Sequence, residues 1–437
     1  MSRRKALVTA LEQLDTANYD LTGKKVLMRV DINSPVKDGI LTNTDKIKAI
    51  VPDIKGAIPY CEGLVLVSHQ GRMGGKDFIS LEQHVDVLRK ELPTVKIKYT
   101  RFTSGPNAER SIRELQPGEI LVLENIRMDE DEKREGTIAE RAGFPMTRSL
   151  ASAVDIVVFN SFAAWQNDDT SLTGLPQVRP TLVGGYTIKE ARLLESLDGE
   201  SDKKLSFIIG GGKPEKMKYI PGLIDSGAAT GLAVTGLPGD IFLRAEGYGL
   251  GSKGKILSER FPKALIEAKS ILSSYRGRIT RPVDLAVMEN GERAEYSIES
   301  IPANLEPYDV GARTVELISK PFDPAHSVVI NGPFGEIERY GGMVSTLGML
   351  EAIAKSGAFL LTTGGHTKWA VDQFRKEYGR LLPLHTDTLG GGAVLSYYSG
   401  KDLPAVNAIT GGYNATHSAE LEAMLRQKAP RVMKSKS

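Results

Sequence analysis

The sequence predicts an α/β protein built as two doubly wound parallel-sheet domains joined by a hinge. Its 437 residues exceed what one ordinary core accommodates. Short, nearly continuous apolar runs suit strands buried on both faces of a parallel sheet. Each run ends in Gly, Asn, Asp or Ser and gives way to a helical pattern, the alternation expected of βαβ units.

In the first half the runs are 25–32, 64–68, 120–124 and 156–160. In the second half they are 205–209, 231–235, 283–287, 328–330 and 359–362. Helical patterns at 79–92 and 189–197 alternate with them, and a further helix is expected from the triple glycine at 390–392 through Ser399. Two glycines in Val183-Gly184-Gly185-Tyr186 mark the hinge. The expected domains are therefore 1–185 and 186–403. No internal repeat and no low-complexity segment interrupts the pattern.

Composition narrows the function classes. The chain carries 56 Lys and Arg against 54 Asp and Glu, a formal charge of +2. That balance argues against a nucleic-acid-binding surface, and the basic cluster Arg431, Lys434, Lys436 reads as a solvated terminus. Cys61 is the only cysteine, which leaves no intrachain disulfide and no cysteine metal site. The first residues hold too short an apolar run for a signal peptide, and no stretch approaches the roughly 20 residues of a membrane span. A cytoplasmic protein with neither membrane nor nucleic acid as partner is expected, either monomer or dimer.

In doubly wound sheets, ligands sit beyond the carboxyl ends of the strands. Those ends read Asp31-Ile32-Asn33, Ser68-His69-Gln70-Gly71-Arg72 and Glu124-Asn125-Ile126-Arg127 in the first half. Arginine grips carboxylate and phosphate through a planar fork, so Arg29, Arg72 and Arg127 suit a small phosphorylated acid, with Asp31, Asn33 and His69 to orient hydroxyls. Pairing of each arginine with a surface acid is the alternative. The second half ends its strands in Gly210-Gly211-Gly212-Lys213, Asn331-Gly332-Pro333 and Gly364-Gly365-His366-Thr367. Such glycine turns let backbone N–H groups approach phosphate, although tight strand-to-helix connections use the same residues. There is no GxxxxGK[ST], no GxGxxG with a following acid, no HExxH and no GxSxG, which disfavours P-loop, dinucleotide, zinc and triad chemistry.

Taken together, these segments resemble the phosphoglycerate kinase family, its archaeal branch in particular. The matching stretches are Val26-Leu27-Met28-Arg29-Val30-Asp31-Ile32-Asn33-Ser34-Pro35, Ser68-His69-Gln70-Gly71-Arg72 and Leu123-Glu124-Asn125-Ile126-Arg127. Asp309-Val310-Gly311-Ala312-Arg313-Thr314, Asn331-Gly332-Pro333-Phe334-Gly335 and Thr388-Leu389-Gly390-Gly391-Gly392-Ala393 follow in family order.

The resemblance implies two Rossmann-like domains facing a cleft, the acid on the first and Mg-nucleotide on the second, with a tail from about 404 to 437 returning to the first. It implies reversible phosphoryl transfer between 1,3-bisphosphoglycerate and ADP, with ATP/ADP and Mg2+ as cofactors. By motif position Asp31, Asn33, His69, Arg72 and Arg127 fall on acid-binding positions. Gly211, Gly212, Lys213, Gly236, Asn331, Pro333, Glu338, Gly364, Gly365 and Thr367 fall on nucleotide positions. Lys46 and Lys213 take the catalytic roles.

Three departures stand out. Lys46 occupies the place of the family's catalytic arginine. Gln166 and Asn167 stand where a His-Arg pair would meet the acid's phosphate. His366 replaces an acid in the glycine turn, which leaves the metal ligands unknown. A kinase acting on a different small acid, or a non-catalytic nucleotide-binding protein, are the alternatives on this scaffold.

Overall fold

The computed structural model describes residues 3–198, 204–379, 382 and 385–425. The chain divides into two compact units, residues 1–195 with 402–437, and residues 196–401. The basic cluster at 431–436 lies outside the described residues, as does the tail beyond 425.

Beside a small antiparallel hairpin of 36–37 and 40–41, the first unit is built on a six-stranded, all-parallel sheet. Its strands are β1 (Lys25–Val30), β2 (Gly63–Val67), β3 (Lys96–Tyr99), β4 (Glu119–Val122), β5 (Ile156–Asn160) and β6 (Thr181–Val183), in the order 3-4-2-1-5-6. Both faces are covered, so successive residues of β1 serve different cores. Val26, Met28 and Val30 pack with Ile47, Ile50 and Ile54 of helix α1 (Asp45–Ala57). Leu27 packs on the other face with Met146 and Leu150 of helix α2 (Pro145–Ala153). Each such buried aliphatic side chain contributes roughly 1.5–3 kcal/mol.

Strands β3 and β6 escape sequence pattern because they are edges. Lys96-Ile97-Lys98-Tyr99 alternates instead of running apolar, with Ile97 alone fully buried. The Gly-Gly pair at 184–185 opens helix α3 (Gly185–Asp198), and this one helix carries the chain across the division at 195/196.

The second unit has a five-stranded parallel sheet of β7 (Lys204–Ile209), β8 (Gly231–Val234), β12 (His326–Asn331), β13 (Phe359–Thr363) and β14 (His385–Thr388), ordered 8-7-12-13-14. The run at 283–287 is not part of it. It lies in β9 (Asp284–Glu289), the middle of an antiparallel sheet with β10 (Glu292–Ser297) and β11 (Pro307–Val310). An apolar run fixes burial but not partner, and here the partner is a hairpin strand with polar outward positions. Strand β14, His385-Thr386-Asp387-Thr388, holds no apolar residue and gave no signal.

After the second unit the chain returns to the first. Helix α4 (Pro404–Gly411) packs there, and Asn414 binds both the N–H and the carbonyl of Thr181 on the outer side of edge strand β6. Its Oδ1 accepts from the Thr181 N–H at 3.0 Å, and its Nδ2 donates to the Thr181 carbonyl at 2.6 Å and the Ile409 carbonyl at 3.1 Å. From the other end, the Val183 N–H donates to the Leu14 carbonyl at 2.8 Å. Among the described residues no helix is long and apolar enough to cross a membrane. Asn414→Ala leaves both buried groups of Thr181 without partners, at about 1–3 kcal/mol each. Urea unfolding of the variant should show the first unit destabilised by about 2–4 kcal/mol; an unchanged midpoint refutes this role.

Candidate functional site

In the first unit, the loops after β1, β2 and β4 are tied together by side chains on backbone groups. The Asn33 N–H donates to Asp31 Oδ1 at 3.0 Å, and Asn33 Oδ1 accepts from the Gly71 N–H at 3.1 Å. Arg127 NH1 donates to the Gly71 carbonyl, while Asn125 Oδ1 accepts from the N–H groups of Gln70 at 2.9 Å and Arg127 at 3.2 Å. Gln70 and Ser34 exchange amide hydrogen bonds at 2.8 and 2.9 Å. Asp31, Asn33, His69 and Arg127 are thereby brought to one edge of the sheet; Arg72 is exposed beside Gly71.

Lys46, in the first turn of α1, pairs with Asp31 at 2.8 Å. Burial, the largest single influence, pushes the Asp31 carboxyl up, but Lys46, His69 and the Asn33 N–H together outweigh it and hold the group down at about 2. His69 is buried, and burial drives its imidazolium form out, helped by Arg29 and Arg127 against the opposing pull of Asp31. Arg29 NH2 lies 3.3 Å from His69 Nδ1. A guanidinium can only donate, so Nδ1 is the acceptor and the neutral ring carries its proton on Nε2.

Arg29, expected to grip the acid, does not. It is 1% exposed and fully engaged: Nε with Ser171 Oγ at 2.8 Å, NH1 with the Val30 carbonyl at 2.6 Å, and NH2 3.6 Å from Glu132. Its position inside β1, rather than beyond it, decides this. Gln166 turns its amide onto its own loop, donating to the Ala163 carbonyl at 3.0 Å. Asn167 follows in the same turn, its N–H on the Ala164 carbonyl at 2.9 Å.

In the second unit the glycine loops meet where strand order reverses, between β7 and β12. The Gly211 N–H donates to the Pro333 carbonyl at 2.7 Å and the Gly211 carbonyl accepts from Leu237 at 3.1 Å. Gly236 has φ +54°, and a Cβ there would stand 2.8 Å from the Gly211 nitrogen; at Gly332, φ +102°, it would stand 2.5 Å from the Gly210 carbonyl. Only glycine permits this approach. Asn331 donates to the Gly391 carbonyl at 2.9 Å, and Thr367 Oγ1 accepts from the Gly332 N–H at 3.0 Å. Gly364 and Gly365 begin helix α5 (Gly365–Tyr378), with open space where side chains would be. Gly212 and Lys213 are exposed at the rim. Glu338 is exposed in the loop after β12, and no hydrogen bond among the described residues joins it to the glycine cluster.

Sequence reading missed Lys216. Its ammonium reaches back to the carbonyls of Gly210 at 2.8 Å and Asn331 at 2.9 Å, the ends of both switch-point strands. Burial, then the neighbouring Lys213, pulls its pKa down to about 7. The signal was available: Lys213 and Lys216 are spaced three apart, one turn of a 3₁₀ helix, and the segment Pro214–Tyr219 is one. Among the described residues no three His, Cys, Asp or Glu side chains converge to hold a metal ion. The residues present, with His366 in the glycine turn, do not fit a protein-held magnesium.

Comparison with known proteins gives the family and the fold. A model of the family described as phosphoglycerate kinase matches residues 16–401. The phosphoglycerate kinase of Methanopyrus kandleri is 34% identical over 395 residues, covering 90% of this chain and 96% of that protein. That of Pyrococcus furiosus is 30% identical over 403 residues, covering 91% and 97%. The crystal structure of phosphoglycerate kinase from Pyrococcus horikoshii superposes with a TM-score of 0.79 at 30% identity, covering 91% of this chain and 98% of that one.

The lowered pKa of Lys216 makes stability depend on pH. Its folded value, about 7, lies below the ordinary lysine value of 10.5, so the cost of burying the ammonium is full below pH 7. That cost is relieved as pH rises from 7 towards 10.5. Compared with Lys216→Met, the wild type should gain on the order of a few kcal/mol across that window. Parallel unfolding curves at pH 6.5 and 9.5 measure it, and an equal difference at both pH values refutes the shift.

Proposed function

The chain belongs to the phosphoglycerate kinase family, and from that membership we propose that it transfers a phosphoryl group reversibly between 1,3-bisphosphoglycerate and ADP, giving 3-phosphoglycerate and ATP. The observation that carries the reading is the division of labour between the units. One sheet edge gathers Asp31, Asn33, His69 and Arg127 on loops tied by hydrogen bonds; the other gathers glycine backbone and lysine at a strand-order reversal.

The acid's hydroxyl and carboxylate would meet Asp31, Asn33 and the Nε2–H of His69. Its phosphate would meet Arg72 and Arg127. The nucleotide would lie on Gly211, Gly212, Gly236, Asn331 and Pro333, with Glu338 towards the sugar and the N–H groups of Gly364, Gly365 and Thr367 towards its phosphates. Mg2+ would arrive on the nucleotide's own phosphates. Phosphoryl transfer needs positioning and charge on the transferred oxygens more than covalent help. Lys213 and Lys46 would supply that charge, and a phosphate near Lys216 would draw a proton back onto its amine. A cytoplasmic location is proposed with this function.

Lys46, Gln166 and Asn167 favour a second reading, the same transfer to a different small acid. A lysine keeps the charge but loses the bidentate fork. A coupled nucleotide-turnover assay with 3-phosphoglycerate and a panel of related acids separates the two; turnover with none of them overturns both.

Lys213 is exposed, so Lys213→Ala should cut turnover by orders of magnitude while the Tm of the free protein stays constant. Normal turnover with a lowered Tm makes the lysine structural. Asn167→Arg restores a charge-assisted contact of roughly 1.5–3 kcal/mol. It should therefore lower KM for 3-phosphoglycerate at least tenfold if that is the acceptor; an unaltered KM removes residue 167 from the pocket.

A further inference from the structure

Asp169 lies two residues beyond Asn167 and its side chain is wholly buried. Both of its oxygens face cations. Oδ1 accepts from Lys133 Nζ, and Oδ2 lies 3.6 Å from Arg127 NH2. The arginine is nine-tenths buried, whereas the Lys133 side chain is 53% exposed. One carboxylate thus holds a buried guanidinium and a solvent-facing ammonium side by side. The three groups sum to +1, one cation more than neutrality requires.

Among the described residues, two buried atoms of this group, Arg127 Nε and Asp169 Oδ2, have no hydrogen-bond partner. Buried polar groups are ordinarily satisfied, and leaving them so is costly. A surplus cation and an unsatisfied arginine N–H at the mouth of one sheet edge are the features of a site for an anion. The chain lacks a cationic pair at 166 and 167, where Gln166 folds onto its own loop. Through Asp169, Lys133 is brought to that same loop from the segment after β4.

We propose that Lys133 is a further substrate-binding residue, its ammonium meeting the anionic group of the acid beside Arg127, and that Asp169 is the positioning residue that fixes both cations. This inference rests on the reading of the first unit as the acid-binding half. Lys133 replaces the charge that Gln166 and Asn167 do not carry. The class of ligand is a phosphorylated carboxylic acid.

The test is calorimetric binding of 3-phosphoglycerate to the nucleotide-free, full-length protein, which requires no turnover. Lys133→Met should weaken Kd about tenfold and leave the Kd of ATP unchanged, while Lys133→Arg should return most of the affinity. Asp169→Asn should also weaken Kd, although it makes the pocket more positive, because the two cations lose their common anchor. An unchanged Kd in Lys133→Met overturns the proposal, as does a lowered Tm without a change in Kd, which would make Lys133 a mere counter-ion. Tighter binding in Asp169→Asn overturns the positioning role. Binding without turnover in the wild type would refute the proposed reaction while leaving Lys133 testable; no binding by the wild type refutes both.

Discussion

The acid-side edge of the first unit depends on one buried cation. Arg29 sits in the central strand of the sheet, and its guanidinium joins the end of β1 at Val30, the segment after β2 at His69, the loop carrying Glu132 and the short helix Thr170–Thr173 carrying Ser171. Taking such a charge out of water is expensive, and only a full set of partners offsets it. Glu132 answers from the opposite side, accepting from the N–H and hydroxyl of Ser171 at 2.8 Å each. Burial holds the Glu132 carboxyl above its ordinary range, and Arg29 is the strongest influence opposing that rise. Remove the arginine and a buried carboxylate is stranded, His69 loses the donor that sets its tautomer, and two loops lose their common anchor.

This explains how far the sequence could be read. The strand ends were legible because apolar runs stop there, and Asp31, His69 and Arg127 do lie beyond the strand ends of one sheet. Arg29 was misread by two residues: its side chain leaves β1 before the edge, which pattern alone cannot distinguish from an arginine just beyond it. Edge strands with polar faces, Lys96–Tyr99 and His385–Thr388, carried no apolar run to notice. The partner of the 283–287 run was undecidable from burial, since hairpin and parallel strands bury the same residues.

What the sequence concealed most thoroughly were contacts between distant charges. Lys133 and Asp169 are 36 residues apart, and neither stands in a motif. Lys216 belongs to a short turn whose geometry brings it back to carbonyls 115 residues away at Asn331. Both lysines owe their character to backbone and carboxylate groups that only the fold assembles. The lowered pKa of Lys216 is of the kind that clusters at functional sites.

The second unit is inserted within the first. Residues 196–401 form a contiguous body, while the first unit is completed by segments that flank it on both sides. During synthesis on a ribosome, the inserted unit can therefore finish while its host is still waiting for its last helices. Until Asn414 emerges, the backbone of Thr181 has no partner on that side, and the edge of the older sheet stays open to foreign strands. The half of the protein made first is the half completed last, and its exposure to misassembly is set by the time taken to translate the roughly 230 codons that the 233-residue separation of Thr181 and Asn414 implies.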